Sequence, residues 1–185
     1  MHLPSAIVMG GLYFLSEVFI NRVRRTKDFS KDGGSLRTIG LAIFSSLTIG
    51  IAVAYAVPAA GIHPARVIFP TGFGLYVFGL ILRWWSIIYL GRFFTVNVTI
   101  ATDHRVVDSG PYRYIRHPSY TGALLAFLGL SLCLLNALSI LIIMIPIFLA
   151  FRKRMGIEEA VLTKALEPNY RQYIRRTKRL IPFVY

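Results

Sequence analysis

Residues 118–151 read PSYTGALLAFLGLSLCLLNALSILIIMIPIFLAF, 34 positions without an Asp, Glu, Lys, Arg or His. As one helix this stretch would be about 50 Å long, against a bilayer hydrocarbon core of about 30 Å. It is too long for one upright crossing and short for two full ones. Asn136 sits near its middle, with Ser139 close by. The stretch therefore reads as a tight helical hairpin turning near Leu135 to Ala137, with expected spans at 118–135 and 137–151. Both of its ends then emerge on the same side of the membrane.

Working outward, three more apolar runs appear upstream, at 3–20, 38–57 and 67–90. The first is interrupted only by Glu17 and the third only by Arg83. No Lys or Arg precedes the first run and no small-residue cleavage site follows it, so it is expected to be a retained span rather than a signal peptide. The expected fold is an all-α integral membrane protein of five transmembrane helices ending in the hairpin, one membrane domain over 1–185 with no internal repeat. Composition agrees. Hydrophobic residues make up 55% and charged residues 16%, where an ordinary soluble domain carries about 25% charge. A soluble fold of this size could not hide so much apolar surface, and intrinsic disorder is excluded by the same imbalance. The single cysteine, Cys133, excludes an internal disulfide, and no CxxC or Cys/His cluster offers a metal site, so no metal is expected.

The net charge of +13 is distributed in a way that tests this topology. Loop 21–37 carries Arg22, Arg24, Arg25, Lys27, Lys31 and Arg37 against Asp28 and Asp32. Segment 91–117 carries Arg92, Arg105, Arg113 and Arg116 against Asp103 and Asp108, and tail 152–185 has 9 basic and 3 acidic residues. Loop 58–66 has only Arg66. The positive-inside rule then places 21–37, 91–117 and the tail in the cytoplasm, with the N-terminus outside. The basic residues flank spans instead of forming a soluble face, so the expected partner is an anionic lipid surface and not nucleic acid.

Polar groups concentrate at that cytoplasmic face. Segment 91–117 contains a strand-like run at 94–100 and the turn Asp108-Ser109-Gly110-Pro111, and it enters the hairpin through Arg116-His117-Pro118-Ser119-Tyr120. The tail leaves through Arg152-Lys153-Arg154, with helix-forming composition at 158–166, an interruption at Pro168, and a stripe of Tyr170, Tyr173 and Ile174 suited to a helix on the membrane surface. Arg154 and Glu158, four apart, share a helix face. Read alone, Arg154 serves equally as a snorkelling anchor, the Arg154/Glu158 pair as a surface ion pair, and Tyr112, Tyr114 and Tyr120 as interfacial aromatics. Glu17 and Arg83, both inside spans, either pair with each other or place Arg83 on a pocket wall. Gly72-Phe73-Gly74 lies inside an apolar span and reads as helix packing, and Cys133 as filler.

The run Gly110-Pro111-Tyr112-Arg113-Tyr114-Ile115-Arg116-His117-Pro118-Ser119-Tyr120-Thr121-Gly122, then a hydrophobic hairpin, Arg154, Glu158-Glu159, Tyr170, Tyr173, Arg179 and Pro182, resembles the isoprenylcysteine carboxyl methyltransferase family, which is grouped with phospholipid methyltransferases. Leu90-Gly91, His104 and Val107 extend the resemblance upstream, so that it covers roughly residues 83 to 182. It implies a membrane-embedded enzyme that uses S-adenosyl-L-methionine without a Rossmann domain, and a prokaryotic-type member in an inner membrane. It places the cofactor in a cytosolic segment, 91–117, closed by the tail. Carried over position by position, Asn97, His104, Arg105, Val106, Val107, Tyr112, His117, Pro118, Ser119, Tyr120 and Glu158 would line the cofactor, and Arg154 would face the methyl acceptor.

The residue types suit those roles. Glu158 can accept a charge-assisted bond from the cofactor's amino group. Backbone N–H groups at the hairpin start, or His117, can donate to its carboxylate. Val106, Val107 and Pro118 offer an apolar slot, and a tyrosine face favours a sulfonium cation. A carboxylate acceptor would be held in the fork of Arg154 and needs no general base. Two other readings predict differently: a reductase-like membrane enzyme would bind NADPH, and a non-enzymatic scaffold would bind no cofactor and tolerate substitution of His117 and Glu158.

Overall fold

A computed structural model describes residues 3–24, 34–96, 103 and 105–185. Among the described residues six α-helices follow one another: α1 (Leu3–Arg24), α2 (Ser35–Ala56), α3 (Ala65–Leu90), α4 (Pro118–Cys133), α5 (Ala137–Leu166) and α6 (Asn169–Arg176). Among the described residues there is no strand beyond two isolated bridges. The first three helices are each long and apolar enough to cross a membrane, and α4 is a shorter apolar helix.

The hairpin turn forms where Asn136 predicts it. Leu135 takes a left-handed φ of 54°, and Asn136 caps α5 by accepting from the Ser139 backbone N–H at 3.0 Å. Asn136 also donates to the Val57 carbonyl at 2.9 Å, and the Ser139 hydroxyl donates to the Gly50 carbonyl at 2.7 Å. These bonds fasten the turn to the end of α2. Pro118 opens α4, where its missing N–H costs nothing.

The hairpin's two helices pack more extensively on their outer neighbours than on each other: α4 lies along α3, and α5 lies along α2. The α3–α4 contact is a backbone approach made possible by glycine. A Cβ on Gly79 would come within 2.5 Å of the Gly122 carbonyl oxygen, and one on Gly122 within 2.5 Å of the Arg83 backbone nitrogen. Such small-residue contacts replace the hydrophobic drive that lipid cannot supply. Gly72 joins this seam opposite Gly129, whereas Gly74 has open space beside it. The core comprises Ala123, Ala126, Phe127 and Leu130 from α4 with Ile143, Ile147 and Phe151 from α5.

The expected span 137–151 and the helix-forming stretch 158–166 belong to one continuous helix, α5, which ends at Leu166. Two elements differ from the sequence reading. The expected stripe on α6 faces protein: Tyr170 and Tyr173 are buried, and the Tyr173 hydroxyl donates to the Tyr112 carbonyl at 2.6 Å. Residues 94–96 are not a strand, and the rest of the expected strand lies outside the described residues.

Candidate functional site

The start of α4 and the second half of α5 meet at one polar end of the helices. Tyr120, one turn into α4, donates to Glu158 Oε1 at 2.6 Å. Arg154, one turn earlier on α5, donates from Nε to the same oxygen at 2.9 Å, the i, i+4 contact expected from spacing. His117 lies between two carboxylates, with Nδ1 3.6 Å from Glu158 Oε2 and Nε2 3.1 Å from Glu159 Oε1.

Glu159 faces away from Glu158 into a cluster that spacing did not reveal. Arg116 Nε lies 2.9 Å from Glu159 Oε1, and Arg179 reaches Oε2 at 2.8 Å. Burial would raise the Glu159 carboxyl, but the hydrogen bonds from His117, Arg179 and Arg116 outweigh it and hold the group well below the usual carboxylate range. The backbone reinforces this knot. Lys178 and Arg179 accept from the N–H groups of Arg116 and His117 at 2.7 and 3.0 Å, and Leu180 accepts from the Thr121 hydroxyl at 2.9 Å. The segment after α6 therefore pins the residues that precede α4. The adjacency of Arg116 to His117 was visible in the sequence, but its pairing across more than forty residues was not.

Above this end opens a cavity of about 1050 Å³, at the upper end of the range of ligand pockets. Of the expected cofactor residues, Arg105, Val106, Val107, Tyr112, His117, Ser119, Tyr120 and Glu158 line it. Pro118 is buried in the helix start and Arg154 is behind the wall; neither is in the lining. Asn97 and His104 lie outside the described residues. Arg154 is among the most buried side chains, donating also to the Ser35 hydroxyl at 2.6 Å and to the Val96 carbonyl. Tyr112 donates to the Ser86 carbonyl at 3.2 Å, and burial pushes its phenol well above the ordinary range.

The cavity is two-natured. Away from the polar end its walls are apolar: Ile7 and Phe14 from α1, and Ile43, Phe44, Leu47 and Ile51 from α2. On α1 the lining runs from Ile7 to Asn21, a rise of about 21 Å, more than half the thickness of a bilayer core. Glu17 and Arg83 form the expected ion pair, and both also line the cavity, so the two alternative readings hold together. Among the described residues no His/Cys/Asp/Glu group could hold a metal ion.

Comparison with known proteins places this geometry. The sequence profile of the isoprenylcysteine carboxyl methyltransferase family matches residues 72–164. Protein-S-isoprenylcysteine O-methyltransferase B of Arabidopsis thaliana is 33% identical over 115 residues, covering 61% of this chain and 58% of the plant protein. The Saccharomyces cerevisiae protein-S-isoprenylcysteine O-methyltransferase is 35% identical over 83 residues, 45% of this chain and 35% of the yeast protein. The chain thus spans well under two thirds of these relatives. A solved structure of the eukaryotic intramembrane Ras methyltransferase ICMT superposes with a TM-score of 0.74 at 25% identity, over 97% of this chain and 66% of that one. The profile match takes in half the chain and includes α4, the hairpin and both site carboxylates, and with it the chain belongs to the isoprenylcysteine carboxyl methyltransferase family.

Proposed function

We propose that this protein transfers a methyl group from S-adenosyl-L-methionine to the carboxylate of a lipophilic, isoprenylcysteine-like acceptor. The acceptor reaches the site sideways from the bilayer and the cofactor reaches it from the cytoplasm. The observation that carries this reading is that one and the same cavity has a charged end around Glu158 and apolar walls between α1 and α2. The orientation follows from the basic loops, and α4 and the 137–151 part of α5 serve as two short further spans.

The residues present fit the cofactor. Glu158 keeps 22% of its side chain exposed while Arg154 and Tyr120 fix its position through Oε1, leaving Oε2 as an acceptor for an amino group. Ser119, on the cavity wall at the start of α4, offers its hydroxyl to a carboxylate. Val106 and Val107 supply an apolar wall for a base, and Tyr112 and Tyr120 supply aromatic faces near a cation. Asn97 and His104 complete the set that the resemblance implies. The cofactor supplies an electrophilic methyl on a sulfonium; the protein's part is alignment and exclusion of water. Arg154 lies behind the cavity wall beside Glu158, and in this reading it meets the acceptor's carboxylate by exchanging its Ser35 or Val96 bond for that anion.

Calorimetry with protein in lipid nanodiscs tests this. S-adenosylhomocysteine is expected to bind and NADPH not to. Glu158→Gln is expected to weaken that binding by about 10- to 100-fold, the worth of one charge-assisted hydrogen bond. Binding of NADPH would favour a reductase, and indifference to Glu158→Gln would remove the proposed amino-group contact.

A further inference from the structure

One charged constellation on the cavity wall lies outside the Glu158 and Glu159 clusters. Arg83 on α3 and Glu17 on α1 form a two-pronged ion pair, Nε to Oε1 at 2.7 Å and Nη2 to Oε2 at 2.9 Å. A third donor, Arg83 Nη1, reaches the Ser119 carbonyl at 3.2 Å, in the first turn of α4. The pair therefore stands where the polar end of the cavity meets its apolar walls. Its carboxylate is the more open member, with side-chain exposures of 26% for Glu17 and 9% for Arg83.

The helix that carries Glu17 is lightly held. Beyond packing on α4, α1 is tied to α3 by Tyr76 donating to the Met9 carbonyl at 2.6 Å, by Trp84 donating to the Ser16 hydroxyl at 3.1 Å, and by this ion pair. Across the cavity stands α2, and Gly11 and Gly40, both on the wall, have no atom within 4 Å of where a Cβ would be. The space between α1 and α2 is therefore a broad cleft, and Glu17 lies on its path to the polar end.

A guanidinium at this depth is costly to leave unpaired, and the fork it offers Glu17 is the one it would offer any carboxylate. We propose that Glu17 is an internal stand-in for the acceptor's carboxylate, keeping Arg83 paired until an anionic head arrives through the α1–α2 cleft and replaces it. This rests on the methyl-transfer reading. The displaced Glu17 turns toward the polar end of the cavity, where Arg37 of α2 also lines the wall. Past this first anion site the head proceeds to Arg154 and Glu158. There the acceptor's carboxylate oxygen bonds to the methyl carbon as the methyl–sulfur bond breaks, the electron pair staying on sulfur. The charges of carboxylate and sulfonium cancel and no proton moves. Glu17 recaptures Arg83 once the head has moved on, and the resulting ester, being neutral, cannot displace it again, so the product is not readmitted.

The test is equilibrium binding of S-farnesylcysteine and its carboxamide to protein in nanodiscs, with S-adenosylhomocysteine present. The wild type is expected to prefer the carboxylate by about tenfold. Glu17→Gln, which removes the competitor, is expected to raise carboxylate affinity by about a further tenfold while leaving the carboxamide unchanged. Glu17→Asp, too short to fill both prongs, is expected to give an increase of about threefold and covers the case in which the glutamine variant does not fold. Ser16→Ala loosens α1 without touching charge and is expected to keep the wild-type preference. Equal weakening of both ligands by either Glu17 variant, an unchanged preference, or the same gain in Ser16→Ala would overturn the proposal. Failure of the wild type to bind S-adenosylhomocysteine would instead sink the methyl-transfer reading, and the carboxylate–carboxamide comparison would still be readable.

Discussion

Gly79→Ala should damage this protein far more than one methyl group suggests. The added Cβ would meet the backbone nitrogen and Cα of Ala126 and lie 2.5 Å from the Gly122 carbonyl oxygen. These are main-chain atoms of a packed helix, not the end of a flexible side chain. Ordinary contact begins near 3.4 Å, so α3 and α4 must part by roughly 1 Å at the crossing. Overpacking of this kind costs about 1–3 kcal/mol, while replacing glycine in a helix returns at most about 1 kcal/mol. With main-chain atoms on both sides the clash wins, and the expected net loss is up to about 2 kcal/mol. Gly74→Ala, five residues earlier on the same helix with no atom within 4 Å of its Cβ position, collects the propensity gain alone. Thermal unfolding of both variants in one detergent, followed by tryptophan fluorescence, decides the matter. A Gly79→Ala midpoint at or above that of Gly74→Ala would refute the close-approach argument. The damage should reach the site as well, because Gly122 abuts the backbone of Arg83.

Other expectations follow from the same contacts. Glu159→Gln is expected to flatten the acid limb of stability. Because the folded-state group lies well below its ordinary value, its contribution is present above an unfolded pKa of about 4.3 and is lost as pH falls below it; an unchanged acid midpoint in a pH-jump unfolding series would contradict this. Asn136→Ala removes the cap of α5 and the bond to Val57, and is expected to cost about 2 kcal/mol in chemical denaturation. Binding of S-adenosylhomocysteine to that variant should stay near wild type, since the turn lies at the opposite end of the hairpin from Glu158.

The sequence carried the hairpin because one asparagine in an uncharged run has few places to go: it must cap, and a cap implies a turn. It carried the Arg154–Glu158 contact because helical spacing enforces it. It marked the apolar span 137–151 and the helix-forming stretch 158–166 separately because Arg152 and Lys153 end the apolar run without ending the helix; nothing in 152–157 breaks helical geometry, so leaving the apolar layer and leaving the helix are separate events. The face of α6 was correctly apolar, but amphipathicity does not say whether lipid or protein will cover it, and the Tyr112 carbonyl takes the Tyr173 hydroxyl. The pairing of Glu159 with Arg116 and Arg179 stayed hidden because it depends on the return of residues 177–180 against 115–117, a pairing without local signature.

The two outer partnerships, α3 with α4 and α2 with α5, have a thermodynamic corollary. Tyr120 belongs to one pair of helices and Glu158 to the other, so the groups proposed to grip the cofactor also bolt the halves of the bundle together. Folding and ligation are therefore two readings of one equilibrium: substitutions that loosen the grip will also lower the melting point, and saturating ligand will return part of what they remove.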